Sequence, residues 1–293
     1  MTRNTIQRLL IFFLGVPLFI MTVLFASFAR GILLVLFVAI IQFIAVREAS
    51  ALFGAKGTHL NRAYLTMLSI MASFIVYLAP LLSMMFPSKP SSLEILLAVG
   101  IIGSLAVLAP FAFARRENFD RLLHTIASSL FLFFYCGVLG SFLVYITSCF
   151  GQLAAPIFTF TLMTFGNDSM AWLSGVTLGK RRGLVAVSPG KSLAGFIGGF
   201  LGSIAAGVIS YVFFKESSFG SFTALLAMSA VMGFFVIAGD LFESAMKRSA
   251  GVKDSSSIVP GRGGVLDSFD SLLFSAPVFV LISLFMGFFP PSM

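Results

Sequence analysis

The sequence predicts an all-α integral membrane protein of about nine transmembrane helices, with the N-terminus cytoplasmic and the C-terminus outside. Three observations carry this. Charged residues make up only 10% of the chain and hydrophobic ones 58%, at a mean hydropathy of +1.04, whereas a soluble domain carries about 25% charged residues. Apolar runs of the length needed to cross a bilayer, about 17–25 residues, recur along the chain. The basic residues alternate in a way that fits one orientation of those runs.

The first run, 9–28, follows Arg3 and Arg8 as the core of a signal peptide would. It is long enough to span and many similar segments follow it, so it reads as a retained first helix. The second, 32–47, is short and can extend through Arg47 and Glu48. Gly, Pro and charged residues then delimit 64–86, 94–113, 126–149, 156–178, 193–214, 220–239 and 271–289. With the N-terminus inside, 16 of the 19 Lys and Arg fall on the cytoplasmic side and only Arg30, Lys89 and Lys215 outside, which is the positive-inside bias. No fixed-period repeat or linker divides the chain, so 1–293 reads as a single polytopic domain. Within it, 1–150 supply N-terminal transmembrane helices, and 151–293 form a region with cytoplasmic loops 179–192 and 240–270 that carries the chemistry. The compact chain without a tail points to a bacterial inner membrane, and the 36 Phe suit lipid-facing helix surfaces.

Several functions are disfavoured. The net charge of +8 is scattered through connecting segments and builds no basic domain, so nucleic acid is not an expected partner. Cys136 and Cys149 have no metal-ligand or disulfide spacing and read as packing residues. With only His59 and His124 there is no zinc cluster, and neither GxSxG nor GxxxxGK[ST] occurs. The glycines of "GFIGGFLGSIAAG" (195–207) stand four apart at Gly195/Gly199 and Gly198/Gly202. Such a face packs helices closely, either within the chain or across a homodimer.

Charges in or beside spans are costly and raise functional hypotheses. Asp168, in "TLMTFGNDSMAWLSG" beside Asn167, either pairs with a Lys or Arg on another helix or faces a hydrated cavity that binds a cation or substrate. Asp240 and Glu243 close the eighth span, and helical continuation would put 240, 243, 244 and 247 on one face. The segment "KRSAGVKDSSSIVPGRGGVLDSFD" (247–270) then concentrates Lys247, Arg248, Lys253, Asp254, Arg262, Asp267 and Asp270. Its Gly261, Gly263 and Gly264 allow positive φ and close approach to a ligand. Asp267 and Asp270 share a face if the last helix begins near Val265. Clustered carboxylates among bases suit metal-assisted phosphoryl chemistry on a membrane-embedded substrate, with Mg²⁺ on hard oxygens and Lys/Arg on phosphate.

"SAMKRSAGVKDSSSIVPGRGGVLDSFD" (244–270) resembles the C-terminal signature of the phosphatidate cytidylyltransferases, or CDP-diacylglycerol synthases. "FGNDSMAWLSGVTLGKRRG" and "SPGKSLAGFIGG" are similar to two further blocks of that family, in the same order, so the resemblance covers about 165–275. It implies a multi-pass enzyme joining CTP and phosphatidate into CDP-diacylglycerol and pyrophosphate with a divalent cation, Mg²⁺, and room for a second cation. Its implied roles place Asp240, Asp254 and Asp267 at the metal and triphosphate, with Asp270 in support. Lys247, Arg248 and Lys253 would meet phosphates, Ser188 and Lys191 the nucleotide or its phosphates, and Asn167 and Asp168 would line the polar cavity.

Three positions depart from the family pattern. Arg262 stands where it has His, Ser268 where it has Arg, and Val259 where it has a larger apolar residue. The expectation is compensation, with Arg262 serving the phosphate that the family's Arg would meet. Two other readings compete. A CTP-dependent polyprenol or phytol kinase resembles the same region but would release CDP, because attack falls on the γ-phosphorus. A lipid or anion transporter should carry polar residues toward both faces, whereas here they gather on one side.

Overall fold

Every regular element described in the computed structural model is a helix, and isolated β-bridges join Arg182 with Ser192 and Val259 with Gly263. The structure describes residues 31–113, 119–150, 154–218, 221–259 and 263–289; the expected first span, 9–28, and Arg262 lie outside them. Helix α1 runs over Ile32–Gly54, on past Arg47 and Glu48. In an apolar medium the backbone must satisfy its own hydrogen bonds, so a helix need not stop where hydropathy does.

The expected span 64–86 is two helices, α2 (Arg62–Tyr77) and α3 (Ala79–Met85), bent by 64°. Pro80 sits in the first turn of α3, where its missing N–H is tolerated and its ring prevents α2 from continuing straight. Helix α4 (Ser92–Leu108) starts on a capping box of Ser91 and Glu94 and tightens into a 3₁₀ turn over Ala109–Phe113. Helices α5 (Phe119–Leu132) and α6 (Leu139–Ser148) are joined by a π-helical turn, Phe133–Val138. The buried Gln42 of α1 donates to the carbonyls of Cys136 and Gly137 in that turn, at 3.0 and 3.3 Å. Cys136 and Cys149 are buried and not joined in a disulfide, as packing residues should be.

The C-terminal half comprises α7 (Ala154–Thr177), α8 (Leu193–Ser218), α9 (Phe222–Ala250) and α10 (Leu266–Phe285). Six helical segments are long and apolar enough to cross a membrane among the described residues, seven if α2–α3 counts as one bent span. The 24-residue α7, which carries Asn167 and Asp168, is not among them. The outer surface bears large apolar side chains such as Phe113, Phe213 and Phe285, as a lipid-facing surface does. Phe also serves inside, where Phe131, Tyr135, Phe242 and Phe274 form a run of ring contacts between α5 and α10.

Two expected boundaries need correction. Helix α9 does not end near 239 but continues to Ala250, and α10 begins at Leu266 rather than 271, so the expected loop 240–270 shrinks to 251–265. The end of α9 is set by Gly251, at φ +78°, with Gly251 N–H donating to Arg248 O and Val252 N–H to Lys247 O. This is a Schellman turn, with Lys247 and Arg248 placed favourably at the negative end of the helix.

The glycine face of α8 packs within the chain, against α7. A Cβ at Gly202 would lie 2.5 Å from the Gly166 carbonyl oxygen, and one at Gly199 2.7 Å from Asn167 Oδ1. Gly202→Ala is therefore expected to cost about 1–3 kcal/mol through overpacking. A lowered unfolding midpoint in detergent relative to the parent checks this; an unchanged midpoint would mean that the two helices separate without strain.

Candidate active site

The C-terminal turns of α9, the start of α10 and the loop before α8 bring the charged residues together. Lys247 Nζ lies 2.6 Å from Glu243 Oε2 on its own helix and 2.5 Å from Asp267 Oδ1 on α10. Glu243 is fully buried, and its Oε1 has no hydrogen-bond partner among the described residues. Lys247 thus neutralises two carboxylates in a site largely closed to water, where unpaired charge is expensive.

The other oxygen of Asp267, Oδ2, accepts from Ser255 N–H (2.9 Å), Ser255 Oγ (2.8 Å) and Gly264 N–H (2.5 Å). Asp267 also stands in the first turn of α10, where negative charge is favoured. The glycine turn exists for these contacts. Gly263 adopts φ +105°, and a Cβ there would sit 2.6 Å from Asp267 Oδ2. At Gly264 a Cβ would sit 2.6 Å from Glu48 Oε2. Close approach is needed as the sequence suggests, but what approaches here are two of the protein's own carboxylates.

Lys191, from the 179–192 loop, forms an ion pair with Asp240 of α9. Burial pushes the Lys191 pKa below the usual lysine value, and the nearby carboxylates of Asp270 and Asp168 oppose that shift. Asp168, half-buried on α7, also acts electrostatically on Asp270. Asp270 is buried and accepts from the Ser271 N–H at 2.6 Å. The loop itself is a set of tight turns: Ser188 N–H donates to Val185 O, Lys191 N–H to Ser188 O, and Gly183 N–H to Pro189 O. Ser188, half-buried, thus shapes the turn that presents Lys191.

Other expected site residues are placed differently. Asn167 is buried, and its amide donates to Ser203 Oγ (3.0 Å) and Gly233 O (3.1 Å), tying α7 to α8 and α9. Arg248 is exposed and donates to the carbonyls of Val187 and Val252, which fastens the 179–192 loop to the end of α9. Lys253 and Asp254 are exposed on the short loop after α9. Ser268 turns its hydroxyl back to Gly264 O at 3.2 Å. Among the described residues no three acids, cysteines or histidines are grouped as a ready metal site. Asp240, Asp254 and Asp267 are therefore not gathered as one, although their hard oxygens suit a divalent cation in kind.

Sequence reasoning missed Glu48, Ser255 and the full role of Glu243. Glu48 is buried in α1 and accepts hydrogen bonds from the loop that holds Asp267. The available signal was an acid set inside an apolar run, which is costly unless something specific compensates it.

Fold and site together define a polytopic membrane protein whose polar machinery is gathered at one end of α9 and α10. A model of the cytidylyltransferase family matches residues 6–286. The chain belongs to the cytidylyltransferase family. It is 34% identical over 213 residues to the phosphatidate cytidylyltransferase of Thermotoga maritima, covering 69% of this chain and 72% of that one. It is 30% identical over 248 residues to the enzyme of that name from Staphylococcus epidermidis, covering 85% and 88%. It is also 32% identical over 235 residues to a chloroplastic phosphatidate cytidylyltransferase of Arabidopsis thaliana, covering 71% and 56%.

Proposed function

We propose that the protein is a phosphatidate cytidylyltransferase, a CTP-dependent nucleotidyltransferase that makes CDP-diacylglycerol and pyrophosphate for phospholipid biosynthesis. The observation that carries this is the Lys247 ammonium held between Glu243 and Asp267, with the Lys191–Asp240 pair alongside, at the end of otherwise apolar helices. The names of the relatives supply the substrates.

In this reading a phosphatidate oxygen attacks the α-phosphorus of CTP. The new bond joins that oxygen to the α-phosphorus, while the bond to the bridging oxygen of the β-phosphate breaks, and pyrophosphate leaves with the electron pair. A phosphate monoester is already an anion at neutral pH, so no strong base is required. The protein positions two polyanions and offsets their charge. Lys247 and Lys191, now neutralised by carboxylates, are the cations that phosphates would engage. Arg248 and Lys253 are exposed, and Arg262, outside the described residues, is assigned in this reading to the phosphate that the family's Arg would meet. Asp168 and Asp270 stand near Lys191, with Asn167 tying α7 to α8 and α9.

Mg²⁺ is part of this reading: Asp240, Asp254 and Asp267 offer it hard oxygen donors, and it would supply charge neutralisation at the triphosphate. The reading also includes nine spans, a cytoplasmic N-terminus, the site at the cytoplasmic lipid interface and a bacterial inner membrane, supported by the bias in Lys and Arg.

Purified protein in detergent, with labelled CTP, phosphatidate and Mg²⁺, tests the proposal. CDP-diacylglycerol and pyrophosphate should form, stop on addition of EDTA and resume with excess Mg²⁺. Release of CDP with a prenol or phytol, and none of the liponucleotide with phosphatidate, would replace this reading with a lipid kinase.

A further inference from the structure

Glu48 lies in the half of the chain that holds no recognisable motif, yet the loop carrying the site closes onto it. Its carboxylate is 4% exposed and accepts four hydrogen bonds. Oε1 receives Ser256 Oγ at 2.5 Å and Val265 N–H at 3.1 Å, and Oε2 receives Ser255 Oγ at 3.1 Å and Leu266 N–H at 2.7 Å. All four donors belong to residues 255–266.

Two of those donors are backbone N–H groups at the start of α10, which has no side-chain cap at its own N-cap residue, Val265. A helix start leaves several N–H groups unpaired and attracts negative charge. Here another helix, more than 200 residues earlier, delivers both the acceptors and the charge. Only glycine fits at 264 without meeting that carboxylate. Asp267 follows Leu266 directly, and the Ser255 hydroxyl stands between the two acids, 2.8 Å from Asp267 Oδ2 and 3.1 Å from Glu48 Oε2. A hydroxyl has one proton to donate, so Ser255 serves one carboxylate at a time and links them.

We propose that Glu48 is a positioning residue for the site: it fixes the 255–265 loop and the first turn of α10 so that Asp267 faces Lys247. The packing of α1 alone does not account for it. A carboxylate in an apolar helix is costly without compensation, and among the described residues its four hydrogen-bond donors lie on the site loop and the first residue of α10. The inference rests on the reading of Asp267 as part of a phosphatidate cytidylyltransferase site. It extends that site to the N-terminal half of the chain.

The test pairs hydrogen–deuterium exchange with steady-state kinetics on the purified parent, Glu48→Gln and Glu48→Asp. In Glu48→Gln the amide turns an NH₂ toward two of the four donors. Exchange across 253–268 should rise while α7 and α8 keep theirs. The kcat per folded molecule should fall by roughly 10- to 100-fold, as misplacement of a reacting group does, with a smaller change in KM for CTP. Glu48→Asp keeps the charge and should recover part of both. Unchanged exchange at 253–268, or an unchanged kcat in an active parent, overturns the proposal. If Glu48→Gln does not fold, Ser256→Ala removes one donor only and must still loosen the same segment. A parent inactive on CTP and phosphatidate sinks the functional reading, and the exchange result then decides the role of Glu48 alone.

Discussion

Asp267→Asn is expected to lower turnover by about 10²- to 10³-fold, the range seen when one preorganised polar group is removed from a transition-state site. The substitution keeps the shape and one acceptor oxygen. That oxygen can still receive the Ser255 and Gly264 donors now shared by Oδ2. What disappears is the charge, and the new NH₂ would face the Lys247 ammonium, donor against donor. Lys247 retains Glu243 at 2.6 Å, so it is not left unpaired. The variant should therefore remain folded in detergent with a moderately lowered unfolding midpoint, while formation of labelled CDP-diacylglycerol nearly stops. Near-parental turnover would remove Asp267 from the reaction. A loss of activity that merely tracks the loss of folded protein would reduce it to an anchor for the glycine turn.

Parts of this arrangement were legible in the sequence because single physical rules govern them. Charge scarcity and apolar run length mark the helices, and helical spacing places Asp240, Glu243 and Lys247 together. The expectation that Asp267 and Asp270 lie on the last helix holds, because α10 begins at Leu266. Other features depend on terms that hydropathy does not contain. Helix α9 runs on to Ala250 because Glu243, Lys247 and Arg248 are good helix formers, and Gly251 stops it. The bend at Leu78 follows from a single Pro80, and the π turn at Phe133–Val138 from a match with Gln42 across the bundle. Within the site, the resemblance implies that Asp254 stands with Asp240 and Asp267; Asp254 is exposed, and it and Asp267 both lie against Gly263. Glu48 was hidden for a different reason. Its partners lie more than 200 residues away, and no periodicity or local motif records a contact at that range.

Lys247→Met is expected to be the most damaging single change, and a double-mutant cycle separates its two effects. Lys247 is the cation shared by Glu243, which is fully buried, and Asp267. Removing one partner of a buried ion pair costs about 3–5 kcal/mol, because the charge left behind is neither hydrated nor matched. Here two carboxylates lose their common counter-ion, so little folded Lys247→Met protein is expected. Adding Glu243→Gln removes one of those charges. Asp267 keeps three donors from Ser255 and Gly264 without Lys247, so the double variant should regain much of the lost stability. This is strong coupling of the kind that residues in contact show. Activity should not return with it, because the ammonium assigned to substrate phosphate is still missing. Unfolding midpoints and product formation for the parent, both single variants and the double variant measure the two effects separately. If turnover recovers together with stability, Lys247 serves only to hold α9 against α10. If stability recovers alone, its charge belongs to the chemistry, and the ion pairs with Glu243 and Asp267 keep that charge in place until a phosphate takes it over.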